Sequence, residues 1–222
     1  MRRRFAPCPP PLPCLLLPAL LVCLLLLPRT TPAADTPRDC LEAIAQAVAD
    51  ADMAAFEQHA DVDGILQTVV DKLFVEARRP ENADRLPPML HLMFSGAALA
   101  DGGGRVRKML RGEARAFIRN GIVSGAFAGR APARDYQSEG LIAPLFADAS
   151  LGRKEIHGIG KARARNDGGW ILPFRVFDAG NGNDYPVVGR FARRDGRVML
   201  VGIDNLDELF ARIAAEAAAL EE

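Results

Sequence analysis

The feature that most constrains the fold is a change of hydrophobic period, from helical spacing in the first half of the chain to strict alternation beyond residue 153. Trp170, Leu172, Phe174 and Val176 recur at every second position and so fall on one face of a strand over 170–178. Further strands are expected over 155–165, 185–193 and 197–203. Between them lie Asn166-Asp167-Gly168-Gly169, Gly180-Asn181-Gly182-Asn183 and Asp195-Gly196. Gly, Asn and Asp supply the positive φ angles of tight hairpin turns, and connections this short join only antiparallel neighbours. Four strands and three such turns predict an antiparallel meander.

The first half carries helix signals. Thr36 before Pro37, with Asp39 three residues on, is a helix start, and Leu41, Ile44 and Val48 mark its buried face. A short helix around 53–59 leads to Asp61-Val62-Asp63-Gly64 and a longer helix striped by Ile65, Leu66, Val69, Val70, Leu73 and Phe74. After Pro80, Pro87 and Pro88 a helix should carry Leu90, Met93, Phe94 and Ala97. Gly102-Gly103-Gly104 separates it from another helix, with Val106, Met109, Leu110, Phe117 and Ile118. Asn205, with Glu208 three residues later, predicts a capped final helix built on Leu206, Leu209, Phe210, Ile213 and Leu220. The fold class is therefore α+β: N-terminal helices on one face of a four-stranded antiparallel meander sheet, closed by a C-terminal helix. One domain is expected over 35–222, its helical half spanning 36–150 and the sheet with the final helix 153–221.

Residues 1–34 are read as a signal peptide. Arg2, Arg3 and Arg4 open the chain, an apolar run spans 15–27, and Thr31, Pro32, Ala33 and Ala34 suit cleavage. The run is broken by Pro18 and is shorter than the roughly 20 residues of a membrane span. Export by the general secretion route to the periplasm or medium is expected, with no stable membrane span after cleavage. That leader holds four of the 28 basic residues and none of the 28 acidic ones, so the remainder is net acidic, which gives no general attraction to nucleic acid. It also holds Cys8, Cys14 and Cys23, leaving Cys40 alone and no internal disulfide to staple the domain.

The order of helices, then a meander containing Trp170-Ile171-Leu172-Pro173-Phe174 and a closing Arg194-Asp195-Gly196-Arg197 turn, resembles the nuclear-transport-factor-like (cystatin-like) α+β domains. It is also similar to small exported proteins of unknown function in which Ala43-Ile44 and residues 52–56 precede a stretch such as Asp61-Val62-Asp63. The resemblance covers roughly residues 41–209 in layout and carries over no functional residue.

No reactive constellation is visible. His59, His91 and His157 are scattered and expected at the surface or at helix ends. Cys40 beside Asp39 and Glu42 reads as a small buried hydrophobe, with an intermolecular disulfide as the alternative. No cofactor or metal is implied, since the aspartates of 61–64 and 178–184 lack calcium-loop spacing and read as caps and turns. Gly121, Gly125 and Gly129 suggest a packing seam, a helix end or the lip of a cleft. Lys108, Arg111, Arg115 and Arg119 share one helical face and are the candidate anion contacts.

These residues point to a non-catalytic exported binding or accessory protein. An apolar or lipid-like ligand would lie between helices and sheet, lined by Trp170, Leu172, Phe174 and Phe191, with Tyr136 in a covering segment that includes 140–146. One alternative is an interaction module of the cell envelope. The other is a small isomerase or dehydratase with Asp178 or Asp184 buried near Tyr136 or Tyr185.

Overall fold

The computed structural model describes residues 35–79, 101–130 and 152–219. The leader, the expected 90–97 helix, His91, Tyr136 and the 140–146 segment lie outside the described residues. Residues Ala33–Glu222 form one compact unit.

Helix α1 (Pro37–Asp50) begins with a capping box: Asp39 N–H donates to Thr36 Oγ1 at 3.2 Å, and Thr36 N–H donates to the Asp39 carboxylate at 3.1 Å. Asp52 caps α2 (Met53–His59), and Asp61 caps α3 (Val62–Ala77) through Gly64 N–H at 3.0 Å. These aspartates satisfy orphan helix amides, as their spacing predicts. Helix α4 (Gly104–Val123) follows Gly103, whose φ of +82° is the left-handed turn that the triple glycine permits. Gly125 and Gly129 also have positive φ, so the glycine repeat ends the helix instead of lining it. Gly121, still helical, receives the Phe127 ring: a Cβ there would lie 2.3 Å from it, making this seam an internal packing contact.

The strands β1 (Lys154–His157), β2 (Arg163–Ala164), β3 (Trp170–Asp178), β4 (Asn183–Arg194) and β5 (Arg197–Ile203) form one antiparallel sheet. Its order is β1-β3-β4-β5, with β2 pairing the other half of the same β3 edge as β1. The single strand expected over 155–165 is thus split in two. His157 opposes Arg175 and Arg163 opposes Ile171, so five residues on one side face three on the other. Gly158 at φ +58° starts this bulge, and Gly160 N–H donates to the Pro173 carbonyl at 2.8 Å. Pro173 has no N–H to give that edge, so the interruption falls where the ladder is already incomplete. The β4–β5 hairpin turns through Asp195 and Gly196, both at positive φ, as its Asp-Gly dipeptide demands.

The principal core joins Cys40, Leu41 and Ile44 of α1, Val62 and Leu66 of α3, and Leu172, Phe174, Val187, Phe191 and Val198 of the sheet. A second cluster, Val70, Phe74, Val106 and Leu110, binds α3 to α4. Helix α5 (Leu206–Ala219) returns to the same sheet face: Leu209 packs against the main core, and Tyr185 Oη donates to Glu216 at 2.7 Å.

Asn205 stands just before α5, as expected of its cap, with its carbonyl accepting from Leu209 N–H at 3.2 Å and its Nδ2 donating to Glu208 at 3.4 Å, but its side chain also serves the sheet. Its side chain is buried against β4, where Oδ1 accepts from Val188 N–H at 2.8 Å and Nδ2 donates to the Pro186 carbonyl at 2.9 Å. The amide takes the place of a strand residue just beyond the end of β5. It completes the ladder opposite a proline that cannot donate.

Candidate functional site

The residues expected to line a ligand cleft are packed. Phe191 is 0% and Leu172 1% exposed, Phe174 is buried, and Trp170 packs half-buried against the same cluster. Gly189 on β4 allows this density, since a Cβ there would sit 2.9 Å from both the Phe174 and Phe191 rings. At these positions side chains fill the space between helices and sheet.

Buried polar groups mark two further places. At the end of β3, Asp178 is 4% exposed and meets the Lys154 ammonium at 2.5 Å. Asp178 also accepts from Gly180 N–H at 2.9 Å, and Lys154 lies 5.3 Å from the centre of the Phe127 ring. Burial pushes the Lys154 ammonium below its ordinary pKa, and the bond to Asp178 opposes that fall. The buried carboxylate therefore answers a half-buried cation. Of the two tyrosines in the isomerase reading, Tyr136 lies outside the described residues, and Tyr185 is occupied by Glu216 and by Asn181 Nδ2 at 2.6 Å. Asp184, the other aspartate of that reading, lies on the far side of the sheet. There desolvation is outweighed by Arg175 at 2.5 Å and His157 at 2.9 Å, which hold its carboxyl below the usual range.

The second place is the end of α2. His59 stands at a helix end, as expected of the histidines, but is 1% exposed, and among the described residues neither ring nitrogen has a hydrogen-bond partner. Burial first, and the charge of Arg197 second, depress its pKa. Cys40, fully buried, donates its thiol to the His59 carbonyl at 3.3 Å, and burial pushes that thiol up to about 12. Cys40 is a packed thiol and not an accessible disulfide partner. Among the described residues, no group of three or more His, Cys, Asp or Glu could hold a metal ion.

The opposite face of the sheet has a different character. Ile171, Pro173 and Phe177 of β3, Val188 of β4, and Met199 and Val201 of β5 are each half-buried, and the strand registers turn the odd positions of β3 away from the principal core. Ion pairs border them: Asp184 with Arg175, and Asp204 with Arg165 at 2.9 Å and Arg190 at 3.7 Å. A shallow cavity of about 330 Å³ opens there between Asp167, Gly169, Arg190, Ala192 and Arg194. Among the described residues no helix is seated on this side. Sequence reasoning followed the even positions of β3 and passed over this face, because its proline, arginine and aspartate interrupt any apolar alternation.

Of the four candidate anion contacts on α4, Arg115 is not free. It pairs at the surface with Glu57 of α2 and Asp63 of α3. Lys108, Arg111 and Arg119 form no ion pair among the described residues. No described helix is long and apolar enough to cross a membrane.

Comparison with protein-family models, with curated proteins and with solved structures finds no match to this chain.

Proposed function

We propose that the chain is a non-catalytic, exported binding or accessory protein of the cell envelope, which engages a protein partner through the side of its sheet on which no described helix sits. The observation that carries this reading is the set of six half-buried apolar residues on that side, bordered by arginine–aspartate pairs. An apolar centre with a polar, charged rim is the composition of protein-binding surfaces. A ligand between helices and sheet would have to displace Leu172 and Phe191, which are fully packed, so contact from outside is the better reading. The helix-then-meander order is the layout on which the likeness to nuclear-transport-factor-like domains rests. It adds no residue to the site.

The test places a photo-crosslinking amino acid at Met199 in cells producing the chain, alongside native mass spectrometry of the material isolated from the envelope. A single crosslinked protein is expected, lost when Phe177 and Val188 are both replaced by Ser. A retained small molecule of constant mass, with no crosslink, would replace this reading with that of a ligand carrier. A bare chain with no crosslink would refute both.

A further inference from the structure

Among the described residues, helix α4 has a long face that enters neither core cluster. Arg105, Lys108, Gly112, Ala116, Arg119 and Val123 succeed one another at three- and four-residue spacing and so form one stripe, about 30 Å from end to end over the 20-residue helix. Arg105 is 94% exposed, Lys108, Gly112 and Arg119 are exposed, and Val123 is 55% exposed at the far end. Arg111 flanks the stripe, half-buried. A Cβ at Gly112 would meet nothing within 4 Å.

The other faces of α4 are committed. Val106 and Leu110 enter the second core cluster, Arg107 pairs with Asp71 at 3.0 Å and lies over Phe74, and Arg115, beside the stripe, pairs with Glu57 and Asp63. Arg107 and Arg115 are thus neutralised by carboxylates of α2 and α3, while Lys108, Arg111 and Arg119 have no ion-pair partner among the described residues. The fourth, Arg105, has only Asp101 at 3.9 Å. No acidic residue lies in the stripe.

We propose that this stripe is a peripheral docking surface for an anionic phospholipid bilayer, with α4 lying flat on the headgroups. Charge complementarity sets the sign of the surface, and the residues between the charges set its kind. Protein interfaces centre on large apolar or aromatic anchors filling pockets, and Gly112 and Ala116 offer neither. A straight row of long, flexible cations separated by small residues instead lets several headgroups approach at once, without a fixed partner shape. Val123 adds a single apolar side chain at one end of the row. This inference is independent of the sheet face, which lies on another part of the molecule.

The test must read α4 by itself, because the arginines and apolar run of residues 1–34 would also bind vesicles. Lys108 supplies the reporter. The full-length chain is treated with an amine-acetylating reagent in the presence of phosphatidylglycerol vesicles or phosphatidylcholine vesicles, and each lysine is read by peptide mass. Phosphatidylglycerol should slow acetylation of Lys108 and leave exposed Lys161 unchanged; phosphatidylcholine should protect neither. Protection should vanish at about 0.5 M salt. Each of Arg105→Gln, Arg111→Gln and Arg119→Gln should weaken it about fivefold, the factor corresponding to about 1 kcal/mol per basic residue at an anionic surface. Equal acetylation of Lys108 with and without phosphatidylglycerol would overturn the proposal. So would equal protection of Lys108 by soluble polyglutamate, which would assign the stripe to an acidic protein.

Discussion

Asn205 provides the sharpest test of how the sheet is closed. Removing its amide in Asn205→Ala leaves the Val188 N–H and the Pro186 carbonyl without partners at a buried position. Each orphaned buried group costs about 1–3 kcal/mol, so the substitution should destabilise the domain by about 3 kcal/mol. For a domain of this size that lowers Tm by roughly 6–12 °C. Asn205→Asp separates this role from helix capping. Asn, Asp and Ser cap helices almost equally well, so a cap would tolerate Asp or Ser within a few tenths of a kcal/mol. A ladder surrogate would not, because Asp keeps the acceptor for Val188 but turns an oxygen toward the Pro186 carbonyl. Its loss should be about 2 kcal/mol or more. Urea unfolding followed by fluorescence suits the measurement, since Trp170 is the only tryptophan and packs against the core. The m-value should stay constant while the midpoint falls. If Asn205→Asp and Asn205→Ser both unfold within 0.5 kcal/mol of the parent chain (roughly the scatter of surface substitutions), the surrogate role is wrong and the cap is right.

Three further outcomes follow from buried groups. His59 has a depressed pKa in the folded state, so the unfolded chain binds its proton more readily, and stability present above about pH 6.5 should fall as the pH drops below it. The slope should approach about 1.4 kcal/mol per pH unit and disappear in His59→Leu, as compared by denaturant midpoints at pH 5 and pH 7. Asp178→Asn removes one counter-charge from the half-buried Lys154 ammonium and should cost about 1–2 kcal/mol; Lys154→Met added to Asp178→Leu should recover most of that in thermal unfolding. Gly189→Ala places a methyl within 3.0 Å of Phe174, Phe191 and Leu200 and should cost about 1–3 kcal/mol, with a midpoint unchanged from the parent arguing against the tight packing described here.

What was legible in the chain is whatever depends on neighbours in sequence. The capping aspartates, the Asp-Gly hairpin, the even-numbered face of β3 and the meander order are local, because turn geometry and side-chain alternation are properties of a few consecutive residues. The split of β1 from β2 was half legible. Gly158, Gly160 and Pro173 each announce an irregularity, but only pairing brings them opposite one another.

The amino-acid sequence by itself determined the fold class: helices first, an antiparallel sheet next, a closing helix last. Tertiary structure decided the use of the polar groups that do not cap their own helices. Asn205 became part of the ladder because β5 ends where β4 still has groups to satisfy, and His59 became buried because Ala60 bridges to Leu200 at the sheet edge. Arg115 was taken from the basic face because Glu57 and Asp63, more than 50 residues away in sequence, fold beside it. Local patterns specify backbone geometry, whereas the environment of a side chain is set by residues distant in sequence. The contacts that would reveal a function are of the second kind.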